Sequence, residues 1–394
     1  MLETSQYVQP LEDWIGAISQ NSYLQLGLPK EETMFENRIS LTPEAVGILV
    51  HNGFKIYIEK DAGIKSGFRN ETYVEYGAII ADKEQVLASP IILKTAPLLE
   101  EEVQLIQPEA LVISPIHYAM TKKETIAAMI EKKLKAISYE KFCDKNGALP
   151  IVKSMSEIAG SASILIAASY LNCFNHGPGI LLGGITGIPP TKIIIIGAGT
   201  VGEFAARSAL ALGASVKVFD NDISRLKRLE NNIGQRLWTS TLEPNILSKQ
   251  LKNADIAIGA LHSYHGKTPL IVTAEMVKRM RAGSVIIDIA IDRGGVFETS
   301  RLTNHHEPTF IEHNVVHYAV PNIPSAYSRT ASGAISNILC SFLIKLGLEG
   351  NVEDLIKISP FYSKGFYLYR GLVCDTFIHR KFGYPLTSFN NIFT

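Results

Sequence analysis

The chain has 394 residues, with 38 Lys plus Arg against 38 Asp plus Glu and a hydrophobic share of 46%, enough for two or three domains with substantial cores. The balanced charge leaves no basic footprint for nucleic acid or an anionic membrane. The cysteines Cys143, Cys173, Cys340 and Cys374 lack C-x-x-C spacing, which argues against a zinc site and a disulfide framework and for reduced, mostly buried thiols. The N-terminus MLETSQYVQPLEDWIGAISQ is acidic and lacks the basic start and apolar run of a secretory signal. No uninterrupted apolar stretch approaches the ~18 residues of a bilayer span. These features predict a cytoplasmic protein without a membrane segment.

In chain order, residues 1–22 read as an amphipathic leader helix with Trp14, Ile15 and Ile18 on one side. From Leu24 onward short apolar runs alternate with helical patterns. Strands are predicted at 24–28, 55–59, 90–94, 110–114 and 135–140, and helices at 43–52, 71–76 and 122–133. This βα alternation predicts a parallel sheet. An alanine- and isoleucine-rich helix is predicted over 156–174 as a buried linker. Further strands follow at 193–197, 215–219, 255–259, 284–288 and 315–320. A second long helix, 331–346, leads back. The last fifty residues read as helical and polar and should pack on the first domain.

The expected fold class is α/β, with two Rossmann-like doubly wound domains, one of them discontinuous, joined by long helices. The expected division is a leader at 1–22, a substrate domain at 23–154 and 331–394, and a dinucleotide domain at 155–330.

The stretch IIIIGAGTVGEFAARSALALGASVKVFD, 193–220, carries the most chemistry. Four isoleucines read as a buried parallel strand. Gly197, Gly199 and Gly202 then follow in a G-x-G-x-x-G pattern that opens a helix. The first glycine permits a tight turn, the second lets a pyrophosphate approach the backbone, and the third lets helix and strand pack closely. The amides and dipole of the helix start face the phosphates. Asp220 ends the next strand at the distance where a carboxylate accepts the ribose hydroxyls, which favours NAD over NADP.

Several further segments carry a resemblance. GLPKEETMFENRISLTP at 27–43, SPIHYA at 114–119, ISYEKF at 137–142 and GALPIVKSMSEIAG at 147–160 stand in the first half. LLGGITGIPPTKIIIIGAG at 181–199, IIDIAIDRGGVFETSR at 286–301 and HYAVPNIPSAYSRTAS at 317–332 stand in the second. In order and spacing the chain resembles the alanine dehydrogenases, a family that shares its architecture with the NAD-binding subunit of transhydrogenase and with saccharopine dehydrogenase. The resemblance covers about residues 24–385. It implies NAD-dependent, reversible oxidative deamination of L-alanine to pyruvate and ammonia, in a homo-oligomer expected to be hexameric. Alternatives are a related amino-acid dehydrogenase of the saccharopine type and a transhydrogenase-like NAD-binding component. Against the component, the chain has no Arg-Gln-Asp loop.

Such chemistry needs a cation for the carboxylate, a general acid/base, a group that steers water, and the cofactor. The resemblance assigns Arg38 to the carboxylate, where a guanidinium offers a planar, permanently charged fork. It assigns proton transfer to His117, which follows a predicted strand, the end where open α/β sheets bind ligands. Asp292 is matched to the water-activating aspartate beside the nicotinamide. Asp288 in the same run reads alternatively as a strand-end acceptor for backbone amides. Family members carry K-x-K-E-P where this chain reads ILKTAPL, so Lys94 is expected on the substrate oxygen after a one-residue shift; the alternative is a structural lysine at a strand end, with Thr95 in the functional slot. By motif match the cofactor shell adds Ser156, Thr200, Val201, Leu261, Ile289, Ala290, Ile291, Asn322, Ile323 and Pro324. Arg225 reads either as a group near the adenine or as a solvated helix charge. His305 and His306 read as polar loop residues, and no metal site is expected.

Overall fold

Short apolar runs bounded by turn residues make most strands of the computed structural model, which describes residues 24–117, 121–144, 146–261 and 268–388. The predicted leader helix lies outside the described residues. In chain order the strands are β1 (Leu24–Leu28), β2 (Phe54–Glu59), β3 (Ile79–Ala81), β4 (Ile91–Leu93), β5 (Leu111–Ile113), β6 (Lys135–Ile137), β7 (Lys192–Ile196) and β8 (Ser215–Phe219). They continue with β9 (Trp238–Ser240), β10 (Ile256–Gly259), β11 (Val285–Asp288), β12 (Thr309–Glu312), β13 (Val315–Tyr318), β14 (Phe366–Tyr369) and β15 (Leu372–Val373). The chain divides into two units, one containing everything before Met155 together with the part from Ser328 onward, the other Met155–Tyr327.

The first unit is an eight-stranded sheet in the order β15-β14-β6-β5-β4-β1-β2-β3. Its six central strands are parallel, while β14 and β15 are antiparallel. The strand order reverses between β1 and β4, which makes the crevice beyond their carboxyl ends the place where this architecture binds ligands. The tail corrects the sequence reading, because it is not purely helical: Phe366–Tyr369 joins the sheet on β6. The segment FYLY is only four residues long and is flanked by charge, so its signal is weak. Arg370 and Gly371, with φ of 48° and 79°, close a two-residue hairpin to β15.

The second unit is a seven-stranded sheet in the order β12-β13-β11-β10-β7-β8-β9, parallel except for β12. It reverses between β7 and β10. In β7, Ile193 and Ile195 belong to one core cluster while Ile194 and Ile196 belong to another. Both faces are buried, which is why four consecutive isoleucines are needed.

The helix Pro150–Tyr170 runs from the first unit into the second. It begins six residues earlier than the sequence pattern indicated, because Pro150 at a first helical position starts a helix rather than blocking it. It and the segment Ile323–Glu349 are each long and apolar enough, by length and composition, to cross a membrane, so the expectation that no stretch reaches that length does not hold by this measure. Their apolar faces are used internally. Ile164, Ala167 and Leu171 enter the core of the second unit, and Ile335, Leu339 and Leu343 are fully buried.

Candidate active site

The cofactor half is built from loops beyond β7, β8, β10, β11 and β13. Gly197 follows β7 at a φ of +119°, and a side chain there would collide with the Ala260 carbonyl. A Cβ on Gly202 would strike the carbonyl oxygen of Gly197, so helix and turn are in direct backbone contact. A Cβ on Gly199 would meet nothing within 4 Å, so a ligand can approach the backbone there. Gly199 caps the helix Thr200–Ala211 without a side-chain hydrogen bond, which leaves the first-turn amides uncapped by any side chain beside Thr200 and Val201. These features fit a pyrophosphate. Gly160 sits against the Val201 carbonyl and Phe204, which packs the helix carrying half-buried Ser156 onto the glycine-loop helix.

Asp220 is only 4% exposed. Its Oδ2 accepts from Ala198 N at 2.7 Å and its Oδ1 from Asp222 N at 2.8 Å. The carboxylate is therefore fixed by the backbone at the end of β8, with acceptor capacity left on each oxygen. Arg225 lies 3.2 Å from Asp222 and 4.0 Å from Asp220, so its charge is directed at this aspartate pair.

Beyond β11, Asp292 does not continue the strand. The strand ends at Asp288, and Asp292 stands in the 3-10 turn Ile291–Arg293 with its side chain 59% exposed. Ala290 and Ile291 are buried beneath it, with Ile289 half-buried. Asp288 is the strand-end acceptor, its Oδ2 taking Val296 N at 2.9 Å and Phe297 N at 3.3 Å. Leu261 follows β10 and is half-buried. Asn322, exposed and at a φ of 56°, opens the 3-10 turn Ile323–Tyr327, in which Ile323 and Pro324 are buried.

In the first unit, the residues expected at the substrate follow the strands on either side of its reversal point. Arg38 follows β1 and is 9% exposed. Glu36 grips it with two parallel bonds, Nε to Oε1 at 2.7 Å and Nη2 to Oε2 at 2.6 Å. Burial opposes the Arg38 charge, but Glu36 more than compensates and holds the guanidinium above its ordinary range. Sequence reasoning missed Glu36. The available signal was its i, i+2 spacing from Arg38 on an extended segment, which puts both side chains on one face. His117 stands exposed beyond β5, and its carbonyl accepts from Thr121 N at 2.9 Å.

Lys94 is engaged inside the fold. It directly follows β4 and has no exposed surface. Its Nζ lies 2.5 Å from Glu102 Oε1 and 3.3 Å from Glu31 Oε2. Burial works against this ammonium, yet the two carboxylates raise its pKa above the ordinary lysine value. Glu31 is pushed up by its own burial, with Lys94 pulling back. The ammonium expected on a substrate oxygen thus stands against two internal carboxylates, the arrangement of a structural lysine at a strand end. The one-residue alternation of the chain turns Thr95 elsewhere: its Oγ1 lies 2.8 Å from Ser40 Oγ, its amide donates to Glu31, and its carbonyl accepts from Tyr139. Glu31 and Glu102 lie 63 and eight positions from Lys94, and no sequence pattern links the three.

His305 and His306 lie in a bend, and no group of three or more potential metal ligands occurs among the described residues.

Two family models match the chain. The one described as Alanine dehydrogenase/PNT, N-terminal domain, covers residues 27–159, and the C-terminal domain model covers 163–376. The alanine dehydrogenase of Staphylococcus haemolyticus is 37% identical over 367 residues, 93% of this chain and 98% of that protein. Alanine dehydrogenase 2 of Staphylococcus aureus is 38% identical over 361 residues, 91% of this chain and 96% of that protein. A solved L-alanine dehydrogenase superposes with a TM-score of 0.87 at 34% identity, covering 91% of this chain and 99% of that one. A transhydrogenase from Sinorhizobium meliloti, at a TM-score of 0.76 and 22% identity over 89% of this chain and 99% of that one, shares the fold.

Proposed function

The chain belongs to the alanine dehydrogenase/PNT family, and from that premise we propose that it catalyses the NAD-dependent oxidative deamination of L-alanine. L-Alanine, water and NAD give pyruvate, ammonia, NADH and a proton, and the reverse is reductive amination. The observation that carries the reading is that a charged site for a carboxylate and a glycine cradle for a dinucleotide each stand at the reversal point of their own sheet, in a chain similar to alanine dehydrogenases along nearly its whole length.

When bound, NAD would supply the hydride acceptor; Gly197, Gly199 and Gly202 would hold its pyrophosphate and Asp220 its adenosine ribose. Thr200, Val201, Ser156, Leu261, Ile289, Ala290, Ile291, Asn322, Ile323 and Pro324 complete the shell, and Arg225 stands beside the adenosine end. Arg38, oriented by Glu36, binds the substrate carboxylate as a planar fork. His117 would take the proton from the substrate amino group and later move protons on the carbinolamine so that ammonia departs. Asp292 orients the water that adds to the imine carbon. Lys94 serves as the internal counter-ion of Glu31 and Glu102, which fixes the loop beyond β4 from within.

Incubating the protein with NADH, ammonium and a panel of 2-oxo acids tests the reading through loss of nicotinamide absorbance. Pyruvate should give the highest kcat/KM. A preference for a bulkier 2-oxo acid would move the chain to another amino-acid dehydrogenase branch, and no turnover with any of them would sink the enzymatic reading.

Two finer assignments accompany this proposal. We place the protein in the cytoplasm, a reading supported by four unpaired cysteines. We also infer a homohexamer, for which a solution mass near six times the 43.3 kDa protomer is expected; a monomer mass in dilute buffer would overturn it.

A further inference from the structure

The catalytic assignment leaves the buried acids Glu203, Asp255 and Asp288 of the cofactor unit unused, and Asp288 is the least exposed of them. Asp288 is 1% exposed and ends β11, directly opposite Gly259 of β10. Nothing else fits in that space. A Cβ on Gly259 would stand 2.9 Å from Asp288 Oδ1, and one on Gly295 would stand 2.6 Å from Oδ2. Ile291, Val296 and Phe297 stand around the two glycines, and the Ser300 side chain lies close to Asp288. A carboxyl group in such a place is costly unless it makes bonds that matter.

The bonds it makes close a loop. Oδ2 accepts the amides of Val296 and Phe297, eight and nine residues downstream. Inside that span, the Ala290 carbonyl accepts both Arg293 N at 3.0 Å and Gly295 N at 3.1 Å. Gly294 and Gly295, at φ of 103° and 79°, permit the return of the chain. Asp292 is the exposed apex of this closed turn. On the far side the turn is tied to its neighbours by Thr268 N donating to the Arg293 carbonyl at 2.8 Å and by Ile271 N donating to the Val296 carbonyl at 3.0 Å.

We propose that Asp288 is the positioning residue for Asp292: by gathering the amides of Val296 and Phe297 it fixes the 289–297 turn and hence the place of the Asp292 carboxylate in the reaction. The proposal rests on the reading that Asp292 acts on the water. Burial pushes the Asp288 carboxyl up from its ordinary range, while the Ser300 side chain and the amides of Val296, Phe297 and Ala290 pull it back down.

The test is a double-mutant cycle on the full-length protein. Asp288→Ala should lower kcat by about 10²-fold, the scale expected for sub-ångström loss of alignment, with the Kd for NADH within threefold of wild type. Asp288→Asn keeps an acceptor oxygen for the two amides and should retain at least ten times the kcat of Asp288→Ala. Asp292→Asn should be slow by itself. Adding Asp288→Ala to Asp292→Asn should then cost less than threefold more, because a positioning residue has nothing left to position. Multiplicative losses would overturn the proposal, as would an Asp288→Ala enzyme of unchanged kcat. If Asp288→Ala does not fold, the cycle is run with Asp288→Asn and Gly295→Ala, whose Cβ intrudes on Oδ2; equal kcat effects in the presence and absence of Asp292 would again refute it. Should Asp292→Asn retain wild-type activity, the assignment of Asp292 fails instead, and that outcome is separately visible in the single mutant.

Discussion

The two units solve similar problems by different means. In the cofactor unit, the groups offered to the ligand are mostly backbone: glycines where a side chain would collide, helix amides, and a carboxylate pinned by two amides. In the substrate unit, the charged groups are held by other charged side chains, Arg38 by Glu36 and Lys94 by Glu31 and Glu102 in its interior. The difference teaches where each half is vulnerable. A backbone cradle fails by collision, whereas a buried ion cluster fails by losing a partner.

Replacing His117 probes the exposed end of the substrate unit. His117→Ala should reduce kcat/KM for L-alanine by about 10² to 10⁴ through lost proton transfer. The side chain is exposed, so the urea midpoint should barely move. An unfolding shift that accounts for the loss would contradict a catalytic role.

Lys94 should behave in the opposite way. Lys94→Ala leaves Glu31 and Glu102 buried without their cation, which should destabilise the protein by about 3 to 5 kcal/mol. Urea unfolding measures this directly. Full stability combined with a collapse of kcat/KM would return Lys94 to the substrate oxygen and erase the contrast between the two units. Volume-matched replacement of the whole trio, Lys94→Met with Glu31→Gln and Glu102→Gln, should recover part of the loss.

In the cofactor unit, Asp220 sets a smaller effect. A 2′-phosphate would meet its fixed carboxylate, so NAD should be preferred over NADP at least tenfold in kcat/KM, roughly 1.4 kcal/mol. Asp220→Ser should narrow that ratio. Equal use of both cofactors by the wild type would show that the carboxylate serves only the Ala198 and Asp222 amides.

The smallest expected effect is a pH dependence of stability. His317 on β13 is fully buried, with Nδ1 3.0 Å from the Val315 carbonyl, Nε2 2.8 Å from Thr299 Oγ1, and its ring stacked on Phe310. Burial depresses its pKa below the ordinary 6.5. The unfolded chain therefore binds a proton that the folded one refuses, and stability falls as pH drops below about 6.5, by at most ~1.4 kcal/mol per unit from this group. Unfolding at pH 7.0 and 5.5 should show the slope, and His317→Gln should flatten it. An unchanged slope in that variant would assign the acid sensitivity to other groups.

Legibility followed the same division as the chemistry. The four isoleucines of β7 announced a strand buried on both faces, and the glycine spacing announced the turn, because both are constraints that neighbours in sequence impose on one another. The hairpin of Phe366–Tyr369 and Leu372–Val373 escaped notice, since four aromatic and aliphatic residues among charges acquire meaning only when β6 offers an edge. Asp288 and Asp292 lie four residues apart in one apolar run and look equivalent as letters. The break between strand and 3-10 turn after Asp288 buries the first and exposes the second.

By itself, then, the sequence determined the alternation of strands and helices, the family and the cofactor cradle, all of which rest on local periodicity, on glycine and on the order of motifs. Tertiary structure alone decided which charges are spent internally. Lys94 meets Glu31 from the loop after β1 and Glu102 from the helix Glu100–Leu105, and whether an ammonium faces a substrate or a carboxylate depends on the side of the chain on which those partners arrive. A buried charge takes its role from its nearest opposite charge, and that neighbour is set by the packing of the sheet and its loops.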